Sequence, residues 1–396
     1  MEVPLKNINI VVLPYRDRYF AERYGVAVRD LHIIQALGAS PDVVSVNVFN
    51  RPVSLHERIL GVKSQHIGRS PSAEFPGVEW IDVTSPDPIG PLFKRRWVAG
   101  CYSGWVERIS RLKKKGHLNV LLDFTPLSRI PYHLLDFDVI WYDLIDNFAK
   151  HNRFSNQERS IVADKYRTIG TSADLITAVS QGALDAVDGA SSACFNVLPN
   201  GLPLLRQETG LNQAINPEYD FGFMGFVTDK FDVALVARLS RLGYSTAIHG
   251  EVYDASVGNQ LASLSGVTLF GGFNAADAYT KAASFRVGLI PYLADKRHDE
   301  SPLKLYQYLA WGRPVMTSAE FEITNQYISD YSGLDEEALR ELCVSMLATA
   351  SDDALVPNIR NSVDHSVRWD TKIAGPLSAI RNIEAQALED SGQHVP

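Results

Sequence analysis

Short unbroken apolar runs alternate with longer stretches of helical periodicity along this chain. Ile8–Leu13 reads INIVVL, continuous and β-branched, the pattern of a strand buried on both faces. Residues 43–50, 78–82, 119–122 and 138–144 repeat that character at intervals that leave room for helices. The periodicity between and after them predicts helices over 26–37, 97–115, 156–171 and 181–188. Such alternation predicts a parallel sheet with helices on both faces. Residues 199–218 are rich in turn formers and read as a linker. The pattern then restarts, with strand-like runs at 221–224, 244–249, 267–270 and 287–291, each followed by a helical stretch. The expected organisation is two doubly wound α/β domains: an N-terminal one over 1–200, a linker over 201–218, a second domain over 219–370, and a C-terminal helix and tail over 371–396. Residues 357–385 predict one or two helices with Trp369 buried between them. Open parallel sheets bind ligands at the carboxyl ends of their strands, and two facing sheets create a cleft.

Composition narrows the classes. The 396 residues carry 38 basic and 46 acidic side chains, a net charge of −8, so no nucleic-acid partner is expected. With 45% hydrophobic residues a sizeable core is available. Three cysteines, Cys101, Cys194 and Cys343, are odd in number and far apart, which excludes a disulfide framework or a cysteine-built zinc site. No apolar run is long enough to span a bilayer, and the first residues lack the pattern of a signal peptide. A cytoplasmic protein is expected. Residues 91–115 nevertheless hold eight basic residues against one acidic, a local +7, interleaved with Phe93, Trp97, Tyr102 and Trp105. This suits the anionic inner face of the plasma membrane, and equally a helix with its aromatics in the core and its basic residues in water.

The strongest local signal is PYLADKRHDESPLKLYQYLAWGRPVM, residues 291–316. Ser301 is a good N-cap, Pro302 suits the first helical position, and Gly312 suits a left-handed C-terminal cap. Lys304 sits in the first turn, where the helix dipole disfavours a cation unless an anion is bound there. Gln307 lies one turn further along the same face, within reach of a ribose hydroxyl. A surface lysine on an amphipathic helix is the competing account.

SPLKLYQYLAWGRPVM resembles the donor-nucleotide helix of GT-B glycosyltransferases of bacterial polysaccharide synthesis, usually P-x-K-x-x-E-Y-x-A-x-G-x-P-V. Lysine and glutamine at this spacing also occur in the xanthan glucuronosyltransferase family, and the teichuronic-acid-type glycosyltransferases share the layout. Asp299 and Gln307 stand where the family has the two glutamates of E-x7-E. Leu198-Pro199-Asn200-Gly201 is similar to the motif that closes the first domain in these enzymes, and Phe221-Gly222-Phe223-Met224-Gly225 to the first strand and turn of the nucleotide domain. Gly250, and Gly271-Gly272-Phe273, match the following strand-end loops. The resemblance implies a GT-B fold: two Rossmann-like doubly wound domains facing each other across a cleft, with C-terminal helices packing back on the N-terminal domain. It implies a donor site of Ser301, Lys304, Gln307, Gly225, Lys230, Gly250, Phe273, Tyr292 and Asp299.

On the acceptor side, the loop after the first strand is dense in Arg and Tyr, and Tyr15 and Arg16 are its best candidates for sugar and anion contacts. Asp143 and Asp146 follow the fifth strand. Glycosyl transfer needs a base within reach of the attacking hydroxyl. Matching to the strand-end aspartate of the xanthan glucuronosyltransferase family implies that Asp146 is that base, with Asp143 on the acceptor side as a structural residue or a supporting partner. An N-cap for the turn at Asn147 is the competing role for Asp146. His133 and His151 are further candidates. Asp136-Phe137-Asp138 precedes an apolar strand and reads as a turn. The histidines have no metal-ligand spacing, so no metal and no cofactor are expected.

The implied activity is transfer of a sugar from a nucleotide donor, UDP-linked by preference, to a lipid-linked or oligosaccharide acceptor in polysaccharide synthesis, with inversion. A uronic acid donor would be met by Lys296 or Arg297. The alternatives are a nucleotide-sugar 2-epimerase of the same architecture and a non-catalytic GT-B partner subunit.

Overall fold

A computed structural model describes residues 6–60, 74–86, 95–187, 194–203, 217–318, 321 and 323–390. Residues 204–216 of the expected linker and residues 91–94 of the basic stretch lie outside the described residues. The chain divides into two units. One comprises Met1–Pro199, His298–Glu300 and Trp369–Pro396; the other comprises Asn200–Arg297 and Ser301–Arg368.

The first unit is built on a seven-stranded sheet: β1 (Ile8–Leu13), β2 (Val43–Phe49), β3 (Val78–Ile81), β4 (Leu118–Asp123), β5 (Val139–Leu144), β6 (Leu175–Ala178) and β7 (Cys194–Val197). The order is β3-β2-β1-β4-β5-β6-β7 with every ladder parallel, so the chain winds outward in both directions from β1. All six residues of β1 and of β4 are buried, as central strands covered on both faces require. Helices Arg29–Ala39 and Asn156–Ser172 form where periodicity places them, the second opened by a Ser155/Glu158 capping box. The single helix expected over 97–115 is corrected. The chain instead forms Arg95–Gly100, a 3-10 turn Ser103–Trp105 and Val106–Ser110. Tyr102 is buried here and packs with Trp105 on Phe49. The break falls at Gly100 and Gly104, both poor helix formers.

Trp369–Lys372 and Ala374–Asp390 belong to this first unit. Trp369 is fully buried, stacked on His32 at 6.3 Å and lying under the Arg29 guanidinium at 5.3 Å.

The second unit holds a six-stranded parallel sheet: β8 (Tyr219–Met224), β9 (Thr246–His249), β10 (Val267–Gly271), β11 (Phe285–Ile290), β12 (Val315–Thr317) and β13 (Ile328–Asp330). Its order, β10-β9-β8-β11-β12-β13, repeats that of the first sheet. Phe221, Phe223, Phe285, Leu305 and Tyr308 form the centre of its core. Tyr308 packs edge-on against Phe285 and accepts the Met224 N–H at 2.8 Å, tying the helix Leu303–Ala310 to β8.

His32 is fully buried with neither ring nitrogen hydrogen-bonded, and burial pushes its imidazole down to about 3. A folded-state value below the unfolded one means its contribution is complete above about pH 6.5 and is lost as pH falls toward 3, by about 1.4 kcal/mol per pH unit. Asp30 on the same helix, pushed up to about 6 by burial, acts in the opposite sense between pH 6 and 4. Urea unfolding of wild type and His32→Phe across pH 4–7 should therefore show the variant gaining on wild type steadily as pH falls. A constant difference would contradict this account.

Candidate active site

In the second unit the carboxyl ends of β8 and β9 meet through bare backbone. Gly225 adopts φ +135°, open to glycine, and a Cβ on Gly250 would lie 1.7 Å from the Gly225 carbonyl oxygen. Gly225 N–H donates to His249 O at 2.9 Å, and Gly250 N–H to Gly271 O at 2.7 Å. Three strand-end loops are thus laced together with no side chain above them at Gly225 and Gly250.

Lys304 borders this floor. A Cβ on Gly225 would sit 3.2 Å from its Cε. Its ammonium donates to the Tyr292 hydroxyl at 2.5 Å and lies 5.2 Å from the Phe223 ring centroid. Among the described residues it has no carboxylate partner. Lys230 lies over the same Tyr292 ring, 4.2 Å from its centroid. Tyr292, at the end of β11, is buried and its N–H donates to Ser318 Oγ. Two lysines therefore converge on one tyrosine beside Gly225.

The helix carrying Lys304 starts one residue later than expected. Its cap is Pro302 and its first residue Leu303, so Ser301 is not the N-cap. The Ser301 hydroxyl instead accepts from Asn200 N–H at 3.3 Å, and its carbonyl accepts from Asn200 Nδ2 at 2.5 Å. The Asn200-Gly201 motif thus anchors the turn before the helix. Gly312 closes the helix at φ +75°, as expected. Gln307 is half-buried, and its side chain makes no hydrogen bond among the described residues. Asp232 caps the helix Val233–Arg241, accepting from Leu235 N–H at 3.2 Å. Phe273 is half-buried beyond Gly272. Lys296 is engaged by Asp229, and Arg297 lies over Phe321 at 4.5 Å.

In the first unit the loop after β5 carries Asp146, with its side chain 25% exposed. Asp146 is not the cap of the following turn: Asn147 Oδ1 fills that role, accepting from Ala149 N–H at 3.2 Å. Against Asp146 lies the segment His298–Glu300. His298 Nδ1 is 3.9 Å from Asp146 Oδ1 and 3.6 Å from Glu300 Oε2. His298 stacks on His151 at 4.9 Å, nearly parallel. Asp299 takes φ +60°, and its carboxylate accepts from Asn147 Nδ2 and Lys150 Nζ, both at 2.9 Å. Its side chain is therefore committed within this cluster. Tyr15 packs on Phe148 at 5.3 Å, and the Arg16 guanidinium lies 4.7 Å from the Tyr15 ring. His133 is exposed ahead of β5, and Asp136 turns left-handed there, as a turn residue.

Asp143 takes the structural one of its two expected roles. Its side chain is fully buried, paired with Arg29 through bonds of 2.7 and 2.8 Å, and bonded by Thr177 Oγ1 at 2.6 Å. Arg29 continues to Leu198 O at 2.6 Å. Such a carboxylate is structural. His298 and Glu300 escaped the sequence reading, although six successive ionisable residues before Ser301-Pro302, Asp295 to Glu300, were a usable signal. Among the described residues no group of three or more His, Cys, Asp and Glu is arranged to hold a metal ion.

No family model matches the sequence, and no curated protein sequence matches it. Solved structures do resemble the fold. The α,α-trehalose 6-phosphate synthase of Burkholderia multivorans is 12% identical, with 98% of this chain and 99% of that one covered at a TM-score of 0.60. The lipopolysaccharide outer core galactosyltransferase WaaB is 10% identical over 95% and 99%, TM-score 0.57. AviGT4, a glycosyltransferase involved in avilamycin A biosynthesis, is 12% identical over 96% and 98%, TM-score 0.56. At these identities the likeness is of fold, and the fold is the paired Rossmann-like arrangement of GT-B proteins.

Truncating one partner of a buried ion pair leaves the other charge uncompensated, at a cost of about 3–5 kcal/mol. Asp143→Ala should lower the urea unfolding free energy by that amount. A loss below about 1 kcal/mol would mean the pair is not structural.

Proposed function

We propose that this chain is a glycosyltransferase that moves a sugar from a nucleotide donor, a UDP-sugar by preference, to a hydroxyl of a saccharide. The observation that carries the reading is Lys304, a cation without a carboxylate among the described residues, in the first turn of a helix at the strand ends of the second sheet. A helix N-terminus disfavours a lysine on its own and favours an anion. A diphosphate supplies two negative centres for Lys304 and Lys230, and the backbone at Gly225 and Gly250 leaves room for it to approach. The fold likeness to a galactosyltransferase and to the glycosyltransferase AviGT4 supports the same reading.

The reaction proposed is a single displacement with inversion. Asp146 takes the proton of the acceptor hydroxyl as its oxygen bonds to the anomeric carbon. The bond from that carbon to the diphosphate oxygen breaks, and Lys304 with the helix dipole stabilises the departing charge. No step needs a metal. The acceptor proposed is a lipid-linked oligosaccharide at the inner face of the plasma membrane. Arg108, Arg111, Lys114 and Lys115, all exposed, support a contact with anionic lipid. No helix among the described residues is long and apolar enough to cross a membrane.

Thermal shift and calorimetry with UDP, UDP-glucose, UDP-glucuronate, UDP-galactose, UDP-GlcNAc and GDP-mannose test the donor. One of them should raise the melting temperature by mass action. Lys304→Ala should weaken its binding at least about tenfold, the loss of one charge-assisted contact. Asp146→Asn should bind the donor normally and release nucleoside diphosphate about 10²–10⁴-fold more slowly. If no nucleotide sugar or nucleoside diphosphate binds, the reading fails.

A further inference from the structure

The cluster around His298 holds an unsolved hydrogen-bonding problem. Its Nδ1 is buried without a hydrogen-bond partner among the described residues, between two carboxylates that are both out of range. A buried polar atom left unpaired costs about 1–3 kcal/mol, so such an arrangement persists where something else compensates for it. The ring is held on one side by stacking on His151, which itself stacks on Phe154 at 4.5 Å. Glu300 Oε2 accepts the backbone N–H of His298 at 2.8 Å, so that carboxylate is fixed beside the ring. Asp146 has one quarter of its side chain exposed.

We propose that His298 is the positioning residue of Asp146: its Nδ1–H holds one carboxylate oxygen so that the other faces the acceptor hydroxyl. This rests on the glycosyltransferase reading. The Nδ1 to Oδ1 separation of 3.9 Å exceeds a charge-assisted hydrogen bond by about 1 Å. Catalytic hydrogen bonds are often long before substrate binds and tighten in the complex. Closing this gap satisfies the orphan nitrogen and fixes the base in one step. Glu300, held by the His298 backbone N–H, stands 3.6 Å from the same nitrogen and limits how far the ring can turn. The remaining groups facing the pair complete the cage. Lys150 is bound to Asp299, Arg159 donates to His151 O at 3.3 Å, and Tyr166, kept neutral by burial, donates to the Asp146 carbonyl at 3.3 Å. The proton balance is unchanged: the acceptor's proton goes to Asp146, and His298 holds its own throughout.

Two measurements on the full chain test this. In spectra of protein labelled with ¹⁵N at histidine, His298 should carry a proton at Nδ1, and Asp146→Ala should move its ring resonances. A ring protonated at Nε2 alone, or resonances indifferent to the substitution, would overturn the proposal whether or not the chain transfers sugar. In turnover assays the asparagine amide can place an N–H where Nδ1 stands, whereas glutamine places it near Nε2. His298→Asn should retain kcat within a few fold, while His298→Gln and His298→Ala lose about 10²-fold in kcat with KM little changed. Equal losses in all three variants, or a rise in KM alone, would assign His298 a structural role. If wild type turns over no donor, the glycosyltransferase reading fails, and the labelled spectra still decide whether His298 and Asp146 are paired.

Discussion

Contact between bare backbones at Gly225 and Gly250 is the constraint on which the second unit's chemistry depends. Any side chain at Gly250 would collide with the Gly225 carbonyl, and φ +135° at Gly225 excludes other residues in practice. The loops after β8 and β9 therefore close into a floor without side chains. Lys304 stands at its edge, bonded to a tyrosine hydroxyl where a carboxylate would ordinarily be found. A parallel sheet wound outward from β8 brings these pieces together because all its strands end on one side. The same winding in the first unit brings the β5 loop, with Asp146, to the equivalent edge of its own sheet.

Burial separates the carboxylates at that edge. Asp143 and Asp146 are three residues apart, yet Asp143 is locked by Arg29 and Thr177 while Asp146 keeps part of its surface in solvent. An aspartate with two guanidinium bonds and no exposure holds the fold together. Asp146 instead meets solvent on one side and stands 3.9 Å from an imidazole nitrogen on another. Asp123 belongs with the first kind, bonded by Lys165, Tyr132 and Thr125 in the interior. Strand-end position alone does not distinguish the two kinds.

Long elements were legible in the sequence, as were the short β3 and β9, and four other short strands were not. INIVVL announces β1 because six apolar residues in a row admit few other readings. The three- and four-residue strands β6, β7, β12 and β13 are too brief to show a period. The helix over 97–115 broke because two glycines interrupt it, and burial of Tyr102 fits the broken path. Ser301 looked like a cap by local grammar, but its hydroxyl serves Asn200, a partner 101 residues away. Lys304 was legible because a cation in a first turn is locally out of place. His298 was not, since its meaning comes from Asp146, and only the folded chain brings them together.

The account stands or falls on an anion replacing Tyr292 as the partner of Lys304. A crystal structure with UDP tests that most directly. The account predicts the diphosphate within hydrogen-bonding distance of Lys304 Nζ, lying over Gly225 and Gly250. A diphosphate bound elsewhere, with the Lys304–Tyr292 bond intact, would contradict it.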